Sequence, residues 1–243
     1  MHASLTFLCI AVFLVAFLYS TVGHAGASGY IAVMTLFGLA PAVIKPTALV
    51  LNILVASIAS WHFWKAGHFS WRLFWPFAVL AIPMAYLGGY INLPVHAFKM
   101  LVGVVLLCSA FFFIFQAKND SERGLPGRLV CMLVGGALGL LAGLTGTGGG
   151  IFLTPLVLTL RWAKTKPTAA VSALFILVNS IAGLLGNFRA TNNFPSFGLI
   201  LAAVALGGGA IGSYFGSKRF NHVIIRRALA VVLLIAGTKL IFT

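Results

Sequence analysis

Gly143-Leu144-Thr145-Gly146-Thr147-Gly148-Gly149-Gly150 interrupts an otherwise apolar run, and about 120 residues earlier Gly23-His24-Ala25-Gly26-Ala27-Ser28-Gly29 does the same. After each break comes an apolar stretch, and then the same four residues, Lys45-Pro46-Thr47-Ala48 and Lys166-Pro167-Thr168-Ala169. Further on, Val104-Val105-Leu106-Leu107 answers Val231-Val232-Leu233-Leu234. The chain reads as one unit duplicated, with a first repeat over 1–116, a hydrophilic linker at 117–126 and a second repeat over 127–243, together one membrane domain. Each repeat carries an interrupted helix, and in membrane transporters such interruptions point to the substrate site.

Of the 243 residues 61% are hydrophobic and only 7% are charged, against roughly 25% charged in soluble domains. So few charges would not cover the surface of a soluble fold of this size. Apolar segments such as 99–116, 196–217 and 223–242 have bilayer length. The first apolar stretch, 5–19, has no basic region before it and ends in no clear small-x-small cleavage pattern, so it is expected to stay as a first helix. A net charge of +14 would suggest nucleic acid for a soluble protein. Here the basic residues sit between apolar segments, where they set topology, and no nucleic-acid partner is expected. Cys9, Cys108 and Cys131 are isolated, without metal-ligand or disulfide spacing, so packing is their expected role and no cofactor is expected.

The expected spans are an interrupted segment at 4–40 followed by 46–64, 71–91 and 95–116, then an interrupted segment at 127–160 followed by 167–187, 196–217 and 223–242. An interrupted segment of more than 30 residues is too long for one straight crossing at about 1.5 Å per residue. It is either a long tilted crossing or a hairpin folded at the glycines. With hairpins, one side of the membrane collects Lys65, Arg72, Lys118, Arg123, Arg128, Arg161, Lys164, Lys166, Lys218, Arg219, Arg226 and Arg227, and the other keeps Lys45, Lys99, Arg189 and Lys239. That split is twelve against four; single crossings give nine against seven. The positive-inside rule therefore favours hairpins, an odd number of crossings per repeat and two inverted halves with both termini outside the cytoplasm. The predicted fold is an all-α, polytopic integral membrane protein, each half a glycine-broken segment plus three transmembrane helices.

Glycine allows φ > 0 and is poor inside helices, so each run is expected to unwind locally. Unpaired amides in a bilayer must face protein or water. Two breaks meeting near the midplane, each restarting a helix, would aim N–H groups and positive dipole ends at a guest. Ser28, Thr145 and Thr147 add hydroxyls. These are the means of holding a small anion without a full countercharge. The plainer reading is that the glycines let helices pack closely; their density and their duplication favour a site. His24, where the second copy has Leu144, either titrates and binds the guest or stays neutral on an unwound carbonyl. Lys45 and Lys166 either draw anions into two vestibules or snorkel to headgroups, while Pro46 and Pro167 are expected at the first position of the following helices. Asn52, Asn179 and Asn187 lie in predicted spans, and Asn179, beside Ser180 and near mid-span, is the preferred pathway residue. Trp61, Trp64, Trp71 and Trp75 read as an interfacial belt.

The only two acids, Asp120 and Glu122, share one hydrophilic loop. No span carries the carboxylate on which proton-coupled carriers commonly depend, and the acid or ligand clusters of hydrolytic and metal chemistry are lacking. Neither glycine run continues into Lys-Ser/Thr, so there is no Walker loop. An enzyme is not expected.

Gly143-Leu-Thr-Gly-Thr-Gly-Gly-Gly-Ile-Phe-Leu-Thr-Pro155, Lys166-Pro-Thr-Ala-Ala-Val-Ser172 and Val178-Asn-Ser180 together resemble the TauE/SafE sulfite exporter family of membrane permeases, with weaker copies of these elements in the first repeat. The resemblance implies transport of sulfite, sulfoacetate or another small sulfur-containing anion across a bacterial inner membrane. It implies a pathway lined by Gly146, Thr147, Gly148 and Gly149, with Gly26, Ala27, Ser28 and Gly29 at the matching places. The first copy departs from the glycine-rich pattern at Ala27 and Tyr30 and carries His24, which leaves the identity of the anion open. The expected function is transport, in the export direction, of such an anion by alternating access. The full candidate site is His24, Gly26, Ser28, Gly29, Thr145, Gly146, Thr147, Gly148, Gly149 and Asn179, with Lys45 and Lys166 in the vestibules. The alternative is a non-catalytic membrane assembly or maturation subunit whose breaks serve packing alone. Oligomeric state is not readable from the sequence.

Overall fold

Apolar runs of bilayer length, punctuated by glycine, proline and basic turns, fold as helices because only a helix satisfies its own backbone in hydrocarbon. The structure, a computed structural model, describes residues 2–21, 24–115, 123–191, 198–216 and 222–242. They form α1 (His2–Thr21), α2 (Ala27–Leu36), α3 (Pro41–Lys65), α4 (Trp71–Tyr90), α5 (Val95–Phe115), α6 (Arg128–Thr145), α7 (Gly150–Thr159), α8 (Thr165–Thr191), α9 (Gly198–Gly216) and α10 (His222–Phe242). No strand occurs among the described residues. Helices α3, α4, α5, α6, α8 and α9 are each long and apolar enough to span a bilayer. Gly23, most of the linker including Asp120 and Glu122, and the loop at 217–221 with Lys218 and Arg219 lie outside the described residues.

The two interrupted segments divide where the glycines fall. Helices α2 and α7 have 10 residues each, about 15 Å, half the hydrocarbon thickness. In the second segment the chain turns back on itself. Gly149 lies against Ala142 and Leu138 of α6. Beyond α7, the Arg161 carbonyl accepts a 2.7 Å hydrogen bond from the Arg123 amide, which precedes α6. Trp162 stacks on Phe77 at 6.1 Å, in a cluster with Leu73, Phe74 and Cys131 near the starts of α4 and α6. In the first segment Gly29 packs on Val15 and Tyr19 of α1, so α2 also starts back along the helix it follows.

This packing gathers Lys65, Arg72, Arg123, Arg128, Arg161 and Lys164 around one aromatic cluster, in which Trp64, Phe69, Trp71 and Phe74 touch ring to ring. At the far ends of the helices, Lys45 meets the end of α4 and Lys239 donates to the Leu36 carbonyl. Trp61, Trp64 and Trp71 are exposed, and Arg128 lies 5.6 Å from the Trp75 ring.

Neighbours in the bundle repeat with the chain. Helix α4 packs along α6 and α9 along α1; α4 also lies on α8, and α9 on α3; α3 meets α8, and α5 meets α10. Exchanging the first five helices for the last five maps this set of pairs onto itself. Pro46 is not at a helix start: α3 begins at Pro41, and Pro46 is interior. Pro167 likewise is third in α8, which begins at Thr165. In both copies the following threonine bonds a carbonyl four residues back, Thr47 Oγ1 to Val43 and Thr168 Oγ1 to Lys164, each at 2.7 Å.

The α4–α6 contact is the most extensive between the described helices. Gly135, Gly139 and Gly143, spaced by four on one face of α6, lie against the backbone of Phe77, Ala81 and Ala85. A side chain at any of them would strike a carbonyl oxygen of α4 instead of a movable side chain. Replacing Gly139 with Val is therefore expected to separate the two helices and destabilise the protein by about 3 kcal/mol, the upper range for overpacking. Thermal unfolding in detergent measures it, with Gly207→Ala, at a helical glycine of α9 where a Cβ meets only the Phe13 ring at 3.9 Å, as the comparison for glycine replacement where space is available.

Candidate transport site

The residues that restart α2 and α7 have no side-chain cap. Gly26 precedes α2 at φ 99° and Gly149 precedes α7 at φ 80°, both in the left-handed region that glycine enters at little cost. In α2 the first intrahelical acceptor bond of this turn joins the Tyr30 amide to the Gly26 carbonyl at 2.9 Å. The amides of Ala27, Ser28 and Gly29 thus have no acceptor within the helix. In α7 the amides of Phe152 and Leu153 both reach the Gly149 carbonyl, leaving those of Gly150 and Ile151 at the open start.

Both helix starts reach one pocket. Its wall is made by Tyr19, His24, Ala25, Gly26, Ala27 and Ser28 from the first segment, Thr147 and Ile151 from the second, Asn52 from α3 and Ile176 from α8. The pocket is nearly closed, with a cavity volume of about 10 Å³, room for about one water molecule. A guest larger than a water needs the wall to move apart. Nothing in the wall is a carboxylate, and the positive ends of two helix dipoles point at it.

The hydroxyls are held in place. Ser28 Oγ donates to the Tyr19 hydroxyl at 2.9 Å, and the Tyr30 hydroxyl donates to the Ala25 carbonyl at 2.8 Å, which pins the first break. Thr145 Oγ1 donates to the Leu141 carbonyl at 2.6 Å and lies 2.9 Å from Thr147 Oγ1. Asn52, fully buried, donates Nδ2 to Ser180 Oγ at 3.3 Å. A Cβ on Gly148, whose φ is 72°, would fall 2.7 Å from each of those two atoms.

Of the residues singled out from sequence, His24, Gly26, Ser28 and Thr147 line the pocket. Thr145, Gly146, Gly148 and Gly149 stand behind Thr147 and shape its turn: Gly146 rests on Lys45, Gly148 on Asn52 and Ser180, Gly149 on Phe175. Gly29 faces α1. Asn179 is fully buried with both amide atoms unpartnered, yet it is not in the wall; Asn52 takes the place expected of it. Lys166 is exposed at the start of α8.

Lys45 has neither of its expected partners. Its ammonium is buried and donates to the carbonyls of Gly88, Gly89 and Ile91 at 3.2, 3.0 and 3.1 Å. A cation at a helix C-terminus meets the negative end of the dipole and the carbonyls that lack intrahelical donors. With no acid available in any span, this is how the charge is tolerated inside the bundle. Tyr19, Ile151 and Ile176 had no signal in the sequence that separates them from other apolar positions. Asn52 had one, as the sole amide in a run of aliphatic residues two helical turns beyond Lys45.

Comparison with known proteins agrees with this architecture. The family model described as sulfite exporter TauE/SafE matches residues 8–240. A probable membrane transporter protein of Sinorhizobium fredii is 38% identical over 240 residues, 97% of each chain. Probable membrane transporter proteins of Haemophilus influenzae and Methanocaldococcus jannaschii are 34% and 27% identical over 39% and 52% of this chain, and over 39% and 48% of their own lengths. No solved structure matches. With nearly its whole length matched, and with six helices long and apolar enough to cross a membrane, this multi-pass membrane transporter belongs to the TauE/SafE sulfite exporter family.

Proposed function

We propose that the protein exports a small sulfur-containing anion, sulfite or an organosulfonate, across the bacterial inner membrane by alternating access around the pocket between the two breaks. The observation that carries this reading is the convergence of two uncapped helix starts with Ser28, Thr147 and Asn52 on one small pocket without a carboxylate. Backbone amides and hydroxyls replace the hydration shell of an oxyanion, and two half-dipoles offset its charge. The reading of two inverted repeats is supported by the turn-back of α7 and by the neighbour set that survives exchange of the halves. Rocking of one half against the other would open the pocket to each side in turn. The clustered basic residues favour a cytoplasmic location for the 65–72 and 123–128 ends, with both termini outside. An anion leaving the cell then moves with the membrane potential, worth about 2.3 kcal/mol per charge per 100 mV, without an embedded carboxylate for coupling.

In proteoliposomes, efflux of sulfite or sulfoacetate should exceed that of empty lipid and respond to an imposed potential, and Thr147→Ala should reduce it. A sulfur-anion flux equal to that of bare vesicles would sink the reading. Gly148→Ala forces a left-handed backbone on alanine, at about 1–2 kcal/mol, and presses its methyl on Asn52 and Ser180. We expect inserted, folded protein that has lost flux; full flux would mean that the break only packs. For topology, His68→Cys and Asn92→Cys are placed on a background with Cys9, Cys108 and Cys131 replaced by Ser. In intact cells an impermeant thiol reagent should label position 92 and reach 68 only after permeabilisation. The reverse pattern would invert the orientation.

A further inference from the structure

Asn52 is a polar group of the pocket wall that is only half satisfied. It is fully buried in α3, its Nδ2 is engaged with Ser180 across the bundle, and its Oδ1, equally buried, has no partner. Leaving a buried amide half satisfied is unfavourable, and native structures commonly supply the missing partner from a ligand or water. The pair is held in register from the third side by Gly148, which leaves no space for a side chain between the break and the two polar atoms.

Ser180 can donate as well as accept. A half-turn of the Asn52 amide exchanges its two edges: the Ser180 hydroxyl then donates to Oδ1, and Nδ2 turns its N–H groups to the pocket. In that arrangement every polar atom of the pair is satisfied once an acceptor occupies the pocket. In the arrangement observed, Oδ1 is buried without a partner in a residue that forms part of the pocket wall.

We infer that Asn52, oriented by Ser180, is the residue through which the pocket selects its guest: its amide donates Nδ2–H to an ionised sulfur oxyanion, with the Ser180 hydroxyl donating to Oδ1. This rests on the anion reading of the pocket given above and adds the group that discriminates. Asn52 binds the guest, and Ser180 is a positioning residue that acts through it. Other titratable groups near the amide are His24 and Tyr19 in the same wall and Lys45 two turns earlier on α3. All are present in every variant below; each variant is expressed as a ratio to wild type at the same pH, and Asn52→Leu, which adds no charge, reports their own titration.

The test uses the full chain in detergent and methanesulfonate, an anion that stays ionised across the working range, with binding read by calorimetry. Asn52→Asp keeps the shape but presents a carboxylate, which repels the probe until it is protonated. Its neutral form again donates a hydrogen bond, and burial raises the pH at which that form appears. Asn52→Leu has no donor at any pH. We expect Asn52→Leu to weaken binding about tenfold or more throughout. Asn52→Asp should bind more weakly still at about pH 8 and recover towards wild type at about pH 5. Ser180→Ala should give a smaller, pH-independent loss. Asn52→Asp stays informative should Asn52→Leu misfold, because its own pH series is the readout. Equal losses for Asp and Leu at every pH, or wild-type affinity in Asn52→Asp at pH 8, would overturn the role of Asn52 while leaving the pocket an anion site. If wild type binds neither methanesulfonate nor sulfite, the anion reading itself fails and this inference falls with it.

Discussion

A helix that breaks inside a bilayer exposes backbone groups that hydrocarbon cannot satisfy, and the arrangement of this bundle follows from that constraint. The two breaks turn their chains back, so the amides that begin α2 and α7 face a shared pocket instead of lipid. The same constraint acts at the opposite pole of a helix, where α4 ends among its neighbours. There the freed carbonyls of Gly88, Gly89 and Ile91 meet the ammonium of Lys45. Lys45 also carries Gly146 on its backbone and stem. One buried cation thus ties the second break to the end of α4, and the long helices α3 and α8 become the frame on which both breaks rest.

Glycine does two different jobs in this chain, and composition alone does not separate them. Gly135, Gly139 and Gly143 are helical and let α4 and α6 touch backbone to backbone. Gly146, Gly148 and Gly149, a few residues later, have φ between 72° and 80° and end one helix before starting another. Close packing and the break of the helix therefore fall at different residues of one glycine-rich region. The dividing line falls at Thr145, the last residue of α6.

The helices were legible because their signals are local. Expected spans of 71–91 and 95–116 became Trp71–Tyr90 and Val95–Phe115, and the interrupted segments divided at their glycines. Apolar length and the breakers at each end decide such boundaries, and both are visible in a short window. What the sequence hid depends on distant neighbours. The destination of Lys45 lies 43 to 46 residues away, and the partner of Asn52 lies 128 residues away. Hence Asn179, beside Ser180 and centred in its span, drew attention from local sequence, while Asn52 met the pocket because α3 packs on α8, where its amide reaches Ser180. Pro46 misled for a related reason: Pro41, five residues earlier, already occupies the first position of α3, and the helix accommodates a second proline within its opening turns.

Comparing the two copies separates scaffold from site. Lys-Pro-Thr-Ala recurs, and the threonines of both copies make the same 2.7 Å bond to a carbonyl four residues back. The glycines that start α2 and α7 share a left-handed backbone. These retained features build the fold. The groups that approach the pocket have diverged: Ser28 from one break and Thr147 from the other, His24 where the second copy has Leu144, and Asn52 where the matching place in α8 holds Ala173. Even the shared lysine has parted, buried at Lys45 and exposed at Lys166. A pocket formed by two identical halves would offer each group twice, at places related by symmetry, and a small oxyanion would have two equivalent poses. On the transport reading proposed above, divergence at the wall would leave a single set of donors between two similar halves, so the halves could rock while the guest is held in one orientation.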